Sequence, residues 1–374
     1  MIHVLLTGGG TGGHTYPLIA VARALRKQNG DADTVLRYIG PKGPMMEAER
    51  AAFEAEGIPA TFISAGKVRR YAALQNVIDP FRTLWGIVQA LYFLVRDVPD
   101  VVFAKGGYGA VPVVVAAWLY RIPIMIHESD AVPGVANRMM GKLARRIGIT
   151  YHHAEQYFRR RKTALVGVPV RETVLHGDAA RARERFHLMQ ERPVVLFIGG
   201  SQGARVINKA VIAALQQLHE RVQVVHQTGE KNYDDVVHAA ARKGFKAGRD
   251  GYTPVAFLTP EEMGDALAVA DIVVSRAGAS AIAEIAAYKK ASILVPLNLS
   301  ANDHQRMNAY EIAKVGGTVV LEETNIGRAM LTETIFNILD NLELRTTLEQ
   351  RIAAFYHPLA ADHIAQGLLE MADV

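Results

Sequence analysis

Short apolar strands that end in glycine turns recur in both halves of this chain, and they restrict its fold more than any other feature. Strand candidates in the first half are Ile2–Leu6, Val35–Ile39, Val101–Ala104, Ile124–Ile126 and Ile147–Thr150. Those in the second half are Val194–Ile198, Val222–Gln227, Val255–Leu258, Ile272–Ser275, Ile293–Val295 and Thr318–Leu321. Helical patterns such as Pro17–Gln28, Val111–Leu119 and Arg205–His219 separate them. Apolar strands alternating with helices are typical of parallel sheets covered on both faces.

The sequence therefore predicts an α/β protein with two doubly wound, Rossmann-like domains. We expect an N-terminal domain over 1–163, a second domain over 164–340, and C-terminal helices over 341–374 that pack back on the first domain. The first boundary follows the basic run Arg159–Lys162 and precedes Gly167-Val168-Pro169. In such folds ligands bind outside the carboxyl ends of the strands, so we expect the two sheets to face a ligand cleft.

Composition excludes several classes of protein. Of the 374 residues, 21% are charged and half are hydrophobic, which favours ordered domains over disorder. The absence of cysteine excludes disulfides, thiolate metal sites and a cysteine nucleophile. A net charge of +5 suits anionic partners. No zinc-finger, RNP or helix-turn-helix pattern is present, so no nucleic-acid partner is expected. No cluster of metal-ligating residues follows the strands, so no metal site is expected either.

The loop GGGTGGHT at residues 8–15 resembles two nucleotide-binding patterns without satisfying either. A dinucleotide fingerprint needs an acid after the second strand, but that strand runs into Gly40-Pro41-Lys42. A Walker A loop needs a lysine where His14 stands. What remains is a glycine turn that presents N–H groups to a ligand, with a histidine suited to general-base chemistry. The alternative is that His14 only caps the helix.

Three further glycine turns follow predicted strands. They are Lys105–Ala110, Gly199–Arg205 and Arg276–Ala279. One such turn alone could be structural, but several at carboxyl ends of strands would direct donors at an anionic or polyhydroxy ligand. Glu284 lies early in the helix after the third turn, where it either offsets the helix dipole or accepts hydrogen bonds from ribose hydroxyls.

The segment Thr83–Val95 carries no charged residue. Thirteen residues are too few to span a bilayer, which needs about 20. Four basic residues precede it: Lys67, Arg69, Arg70 and Arg82. This pattern favours a surface helix that enters the headgroup region beside anionic lipid. The alternative is a buried core helix.

Five sequence blocks together resemble one family. They are GGGTGGHTYPLIAVA, GGYGAVPVVVAAWLYRIPIMIHES, LFIGGSQGARVIN, and DIVVSRAGASAIAEIAA with DHQRMNA. Their order and spacing are similar to those of the MurG family of peptidoglycan N-acetylglucosaminyltransferases, from residue 2 to about 325.

The resemblance implies a glycosyltransferase-B fold. It also implies transfer of N-acetylglucosamine, with inversion, from UDP-N-acetylglucosamine to the 4-hydroxyl of the N-acetylmuramoyl-pentapeptide of lipid I, giving lipid II. The enzyme would act peripherally at the cytoplasmic face of the cell membrane, with no tightly bound cofactor. Its partners would be the UDP-sugar, a polyprenyl-pyrophosphoryl acceptor and the membrane surface.

The same resemblance implies roles for individual residues. The positions near the reacting hydroxyl are His14 and Glu128. Donor contacts would come from Thr11, Gly12, Gly13, Asp130, Arg171, Ser201, Leu258, Ala279, Ser280, Ala281, Ile282, Ala283, Glu284, His304 and Gln305. The acceptor and its phosphates would meet the loop residues Gly106, Gly107 and Tyr108.

Two positions depart from the family pattern. Asp130 stands where the family usually has asparagine, and Val168 stands where Gly-Asn-Pro-Val-Arg usually has its asparagine. The carboxylate of Asp130 is a second candidate for the general base.

Two other functions stay open from the sequence. A UDP-N-acetylglucosamine 2-epimerase binds the same donor in the same kind of fold, and a catalytically silent sugar-nucleotide-binding protein would need no base. The apolar segment Thr83–Val95 favours the transferase over the epimerase, and the presence of His14 and Glu284 argues against a silent protein.

Overall fold

The computed structural model describes residues 1–9, 12–66, 75–200, 203–246, 248, 251–298 and 303–373. The chain divides into two compact units. The first comprises Met1–Val170 and His357–Val374, and the second comprises Arg171–Tyr356.

The first unit is built on a seven-stranded sheet in the order β3-β2-β1-β4-β5-β6-β7, and every pairing is parallel. Its strands are β1 Ile2–Thr7, β2 Thr34–Pro41, β3 Ala60–Ile63, β4 Val101–Ala104, β5 Ile124–Glu128, β6 Arg146–Ile149 and β7 Thr163–Leu165. Its helices are α1 Gly12–Asn29, α2 Met46–Glu54, α3 Gln75–Asp97, α4 Val111–Leu119, α5 Val135–Leu143 and, from the chain's end, α15 Ala360–Ala372.

Apolar layers cover both faces of this sheet. On one face α1 and α15 pack together, and Leu18, Leu25 and Leu368 join the same buried cluster. On the other face α4 contributes Val113 and Ala117 to a second cluster. The strand order reverses between β1 and β4, and in doubly wound sheets such a switch point opens a crevice for ligands. The loops that follow β1 and β4 therefore occupy the position where a ligand is expected.

The second unit repeats the scheme with a six-stranded parallel sheet in the order β10-β9-β8-β11-β12-β13. Its strands are β8 Val194–Ile198, β9 Gln223–Gln227, β10 Tyr252–Val255, β11 Ile272–Ser275, β12 Ala291–Leu294 and β13 Val319–Val320. Its helices are α6 Glu172–Leu175, α7 Ala179–Arg185, α8 Arg205–Arg221, α9 Tyr233–Ala241, α10 Pro260–Val269, α11 Ala279–Ala287, α12 His304–Lys314, α13 Arg328–Asp340 and α14 Leu342–Ile352. Here the switch point lies between β8 and β11.

The observed boundaries differ from the predicted ones at both ends of the second unit. The first break falls between Val170 and Arg171, not at 163/164. Helix α14 remains with the second unit, where Leu348 joins the core cluster, and only α15 packs against the first sheet. The predicted single stretch over 341–374 thus contains helices of two different units, since apolar periodicity does not tell which sheet a helix covers.

Two element boundaries also correct the sequence prediction near the site. Helix α1 begins at Gly12 and not at Pro17, so His14 lies in its first turn. Strand β10 ends at Val255, so Leu258 lies in the following loop and not in the strand. Pro254 is tolerated in β10 because this is an edge strand with β9 as its neighbour on one side.

Candidate active site

The switch point of the first unit is formed by glycines in conformations that side chains rarely allow. Gly9, Gly106 and Gly107 have φ values of +106°, +103° and +82°. A Cβ atom on Gly107 would lie 3.4 Å from Nε2 of His14 and 3.3 Å from the carbonyl oxygen of Gly9. The glycines therefore let the loop after β4 approach the His14 ring closely, with Gly13 beside it in the same turn of α1.

His14 is a half-buried histidine held in its neutral form. Burial and the positive charge of Lys105 lower its pKa to about 4, against the opposing effects of Asp130 and the Lys105 backbone. A histidine with this pKa is unprotonated at neutral pH and can accept a proton. His14 thus has the protonation state that a general base requires.

Glu128 ends β5 and is buried at the same edge of the sheet. Its Oε1 accepts a hydrogen bond from the backbone N–H of Asp130 at 2.9 Å, and its Oε2 accepts one from Nδ2 of Asn137 at 2.7 Å. Burial and the nearby Asp130 carboxylate raise the pKa of Glu128 to about 7. Two fixed hydrogen bonds position this carboxyl group, and it exchanges its proton close to neutral pH.

Two residues that sequence reasoning did not select complete this edge. Nζ of the buried Lys105 donates a hydrogen bond to Oγ of Ser129 at 2.9 Å. Oδ1 of Asn137 accepts a hydrogen bond from the backbone N–H of Gly107 at 3.3 Å, so this amide links the loop after β4 to Glu128. The sequence signal that could have identified Lys105 is its position as the first residue of a glycine turn. Nothing in the spacing identifies Asn137, which comes from α5.

His127 is a buried histidine on the strand that carries Glu128. Its Nε2 lies 2.7 Å from the carbonyl oxygen of Gly167. Burial, reinforced by the charge of Lys105, holds its pKa well below the usual range, so the neutral ring donates from Nε2. This bond ties β5 to the segment after β7 and fixes the strand end that presents Glu128.

At the switch point of the second unit, the loop after β8 also depends on glycine. Gly200 and Gly203 have φ values of +77° and +73°, and a Cβ atom on Gly203 would collide with the carbonyl oxygen of Thr228 at 2.1 Å. The loop after β11 leads directly into α11, which begins at Ala279. The first N–H groups of a helix have no intrahelical acceptor and attract anions. In α11 these groups belong to Ala279, Ser280 and Ala281.

Glu284 lies in the second turn of α11 and pairs with Arg171, the residue before α6. Nη2 and Nε of Arg171 donate to Oε1 of Glu284 at 2.8 and 3.2 Å. Both side chains are largely buried, with 18% and 11% exposure. Within the described residues no hydrogen bond reaches Oε2 of Glu284. The pair thus combines a cation and a hydrogen-bond acceptor beside the N-terminus of α11.

The remaining predicted donor contacts of the second unit lie in a loop or in helices that follow its strands. Leu258 is buried in the loop after β10. His304 and Gln305 begin α12, and Oε1 of Gln305 accepts a hydrogen bond from the backbone N–H of Leu297 at 3.0 Å. Ile282 and Ala283 are buried in α11. Thr11 and Ser201 lie outside the described residues, and Gly12 is described by its backbone alone.

No group of three or more histidine, aspartate or glutamate side chains suited to a metal ion occurs in the described part of the chain.

Comparison with known proteins assigns the family. Models of the glycosyltransferase family 28 N-terminal and C-terminal domains match residues 4–149 and 194–364. A Thermodesulfovibrio yellowstonii protein named UDP-N-acetylglucosamine--N-acetylmuramyl-(pentapeptide) pyrophosphoryl-undecaprenol N-acetylglucosamine transferase is 35% identical over 98% of this chain and 99% of its own. The chain belongs to the MurG family. The resemblance predicted from the sequence blocks is thereby confirmed.

Other MurG relatives agree. A Bacillus cereus protein of the same name, with the suffix 2, is 35% identical over 92% of this chain and 93% of its own. The crystal structure of Acinetobacter baumannii MurG superimposes with a TM-score of 0.76 at 26% identity, covering 99% of this chain and all of that one. The predicted pair of Rossmann-like domains in a glycosyltransferase-B fold is confirmed.

One similar structure has another function. UDP-GlcNAc 2-epimerase from Neisseria meningitidis, bound to UDP-GlcNAc, superimposes with a TM-score of 0.68 but only 12% identity, over 99% of this chain and all of that one. At this identity the likeness concerns the fold alone.

Proposed function

We propose that this protein transfers N-acetylglucosamine from UDP-N-acetylglucosamine to the N-acetylmuramoyl-pentapeptide of a polyprenyl-pyrophosphoryl acceptor, giving lipid II. The observation that carries the proposal is the 35% identity, over 98% of this chain, to a relative named for that transfer. The named MurG relatives favour this function over the 2-epimerase, whose likeness is limited to the fold.

In this proposal the second unit binds the donor. The N–H groups of Ala279 to Ala281 and the guanidinium of Arg171 meet the pyrophosphate, with Ser201 beside it. They stabilise the negative charge that develops on the leaving UDP. Glu284 accepts hydrogen bonds from the ribose hydroxyls through Oε2. Leu258 packs beside the uracil, and His304 and Gln305 contact the donor sugar.

The first unit supplies the acceptor side of the reaction. His14, neutral at physiological pH, takes the proton from the attacking 4-hydroxyl. Glu128 lies nearby and orients the site, while Asp130 accepts a hydrogen bond from a sugar hydroxyl and is the alternative base. Thr11, Gly12 and Gly13 contact the donor, and the loop residues Gly106, Gly107 and Tyr108 contact the acceptor and its phosphates.

We further propose that α3 places the protein on the membrane surface. Seven large apolar side chains of α3 are exposed: Ile78, Phe81, Leu84, Trp85, Val88, Tyr92 and Val95. Their spacing of three, four and seven residues places them along one face, while Ala90 and Leu94 are buried on the other.

The charge beside this face suits a peripheral position. Arg82 and Arg96 are exposed on α3, which suits an anionic lipid surface. Lys67, Arg69 and Arg70 lie outside the described residues. Among the described helices, none is long and apolar enough to cross a membrane. The proposed location is the cytoplasmic face of the cell membrane.

The decisive experiment is incubation with UDP-N-acetylglucosamine and a lipid I analogue. We expect UDP release that depends on the acceptor, together with the disaccharide product. UDP released equally without acceptor, a sugar epimerised at C2, or no turnover at all would refute the proposal.

A pH–rate profile tests His14 as the base. The wild-type protein should lose kcat/KM as the pH falls toward the His14 pKa of about 4. His14→Ala should reduce kcat by about 10²- to 10⁴-fold and remove that acidic limb. A His14→Ala variant with an unchanged profile would transfer the role to Asp130.

A further inference from the structure

Tyr288, the residue that follows α11, joins this helix to the segment that carries Arg171. Its hydroxyl donates a hydrogen bond to the carbonyl oxygen of Val174 at 2.5 Å and accepts one from the backbone N–H of Gly177 at 2.8 Å. A tyrosine hydroxyl both donates and accepts, so the two bonds form together. Because the last carbonyl groups of a helix lack intrahelical partners, Tyr288 supplies one at the end of α6.

Val174 connects the Tyr288 hydroxyl to the backbone of Arg171. The N–H of Val174 donates a hydrogen bond to the carbonyl oxygen of Arg171 at 3.1 Å. The Arg171 side chain in turn holds Glu284, which lies on α11 four residues before Tyr288 and therefore on the same face of the helix. These four residues form a closed ring of contacts. In this ring Glu284 fixes the guanidinium of Arg171, and Tyr288 fixes its backbone through Val174.

Helix α10 holds the same segment from another side. A Cβ atom on Gly264 of α10 would lie 2.4 Å from the carbonyl oxygen of Val174, and one on Gly177 would lie 2.0 Å from the carbonyl oxygen of Gly264. The carboxylate of the fully buried Asp265 accepts a hydrogen bond from the backbone N–H of Asp178 at 2.9 Å. The two glycines let the backbones approach closely, and this contact places the Val174 carbonyl within reach of the Tyr288 hydroxyl.

We propose that Tyr288 is a positioning residue of the donor site, whose hydroxyl fixes the backbone from which Arg171 reaches the pyrophosphate. This inference rests on the proposed function, in which Arg171 contacts the donor, and it adds a residue that the proposed donor contacts do not include. A guanidinium that is held in place before the ligand arrives loses less conformational entropy on binding. Loss of the hydroxyl therefore weakens nucleotide binding and leaves acceptor binding unaltered.

Tyr288→Phe tests this role because it keeps the ring and removes both hydrogen bonds. We expect the Kd for UDP, measured by isothermal titration calorimetry without acceptor, to rise about tenfold. In the transfer assay the KM for UDP-N-acetylglucosamine should rise by a similar factor, and the KM for the lipid I analogue should not change. The control is Tyr252→Phe, which removes a buried tyrosine hydroxyl 3.0 Å from Nδ1 of His226 in the same unit. It should lower stability and leave the Kd for UDP unchanged.

A double-mutant cycle with Arg171 separates positioning from a general loosening of the second unit. In Arg171→Met the guanidinium is absent, so the further change Tyr288→Phe should alter the Kd for UDP by less than about twofold. Gly264→Ala displaces the Val174 carbonyl without changing the tyrosine, and it should raise the Kd for UDP as Tyr288→Phe does. Gly327→Ala is its control, because a Cβ atom there has no neighbouring atom within 4 Å.

The outcomes separate this inference from the function on which it rests. An unchanged Kd for UDP in Tyr288→Phe, or an equal rise in the presence and absence of the Arg171 guanidinium, overturns the inference and leaves the proposed function intact. If Tyr288→Phe does not fold, Gly264→Ala decides, and loss of folding in both variants overturns a role confined to the donor site. A wild-type protein that binds UDP without transfer refutes the proposed function, and the binding cycle still tests Tyr288. A wild-type protein that does not bind UDP refutes both.

Discussion

The guanidinium of Arg171 holds Oε1 of Glu284 through two hydrogen bonds, one from Nη2 at 2.8 Å and one from Nε at 3.2 Å. Arg171, which lies 113 positions earlier in the chain, thus fixes the rotamer of the Glu284 side chain. Pre-orientation of this kind leaves Oε2 for a ligand and lowers the entropic cost of binding.

We predict that Glu284→Gln raises the KM for UDP-N-acetylglucosamine about 10- to 100-fold with a smaller effect on kcat. A hydrogen bond to a charged group contributes about 1.5–3 kcal/mol, and glutamine retains an acceptor for Arg171. Steady-state kinetics with varied donor measure the change. Glu343→Gln, an exposed glutamate at the start of α14, is the control. If the ion pair were purely structural, Glu284→Gln would lower the thermal stability and leave the KM for the donor unchanged.

The strands flanking both switch points could be predicted because their sequences are continuously apolar and end in glycine. Strands such as β4 and β8 carry apolar side chains on both faces, and these side chains leave water only when both faces of the sheet are covered. The edge strands β3 and β7 were missed, since Ala60–Ile63 and Thr163–Leu165 are short and only partly buried. Edge strands have neighbours on one side, so selection for apolar residues is weaker.

The site was only partly accessible to sequence reasoning. Glycine turns and family motifs indicated His14, Glu128 and Glu284, because each lies at the end of a strand or in the first two turns of the helix that follows one. The contacts of Lys105 with Ser129 and of Asn137 with Glu128 join elements separated by 24 and 9 residues. Contacts of this kind depend on side-chain packing at the sheet edge, which no periodicity in the sequence encodes.

Gly107 offers a test of the close approach between its loop and His14. Its φ and ψ of +82° and +166° lie in a region essentially restricted to glycine. In Gly107→Ala the backbone is strained at this φ, and the added Cβ would lie 3.3 Å from the carbonyl oxygen of Gly9 and 3.4 Å from Nε2 of His14, so the loop beside His14 must shift. We expect kcat to fall about tenfold or more, since strain of this kind costs about 1–3 kcal/mol.

The matched control is Gly134→Ala. Gly134 has a φ of −64°, and a Cβ atom added there would have no neighbouring atom within 4 Å. Its kcat should equal that of the wild type. Equal activity of both variants would mean that the position of this loop beside His14 is not critical.

Negative charge introduced on the exposed face of α3 tests whether this face binds the membrane. Phe81 and Trp85 are 70% and 58% exposed and lie four residues apart on the proposed membrane face. The variant F81E/W85E should lose binding to vesicles containing phosphatidylglycerol in a co-sedimentation assay, because glutamates are repelled by anionic lipid and remove apolar contact area. Transfer to a water-soluble short-chain acceptor should persist.

Leu342→Glu provides the control for that experiment, because Leu342 is 75% exposed but lies in the second unit. Its vesicle binding should match the wild type. Retention of vesicle binding by F81E/W85E, or an equal loss in Leu342→Glu, would contradict a specific role for α3.

His226 makes the stability of the second unit dependent on pH. It is buried between Oδ1 of Asn208 and the hydroxyl of Tyr252, each at 3.0 Å, and burial lowers its pKa to about 3. Below pH 6.5 the unfolded chain binds a proton at this residue and the folded chain does not. Stability should therefore fall with decreasing pH by about 1.4 kcal/mol per pH unit through the range from 6.5 to about 3.

His226→Gln removes this contribution because glutamine does not titrate. Urea unfolding at pH 7, 6 and 5, followed by a probe in the second unit, should show a smaller loss of stability in the variant, by about 2 kcal/mol at pH 5. His238→Gln, an exposed histidine of α9, should behave like the wild type. Parallel pH dependences for wild type and His226→Gln would mean that His226 titrates alike in the folded and unfolded chains, contrary to its burial.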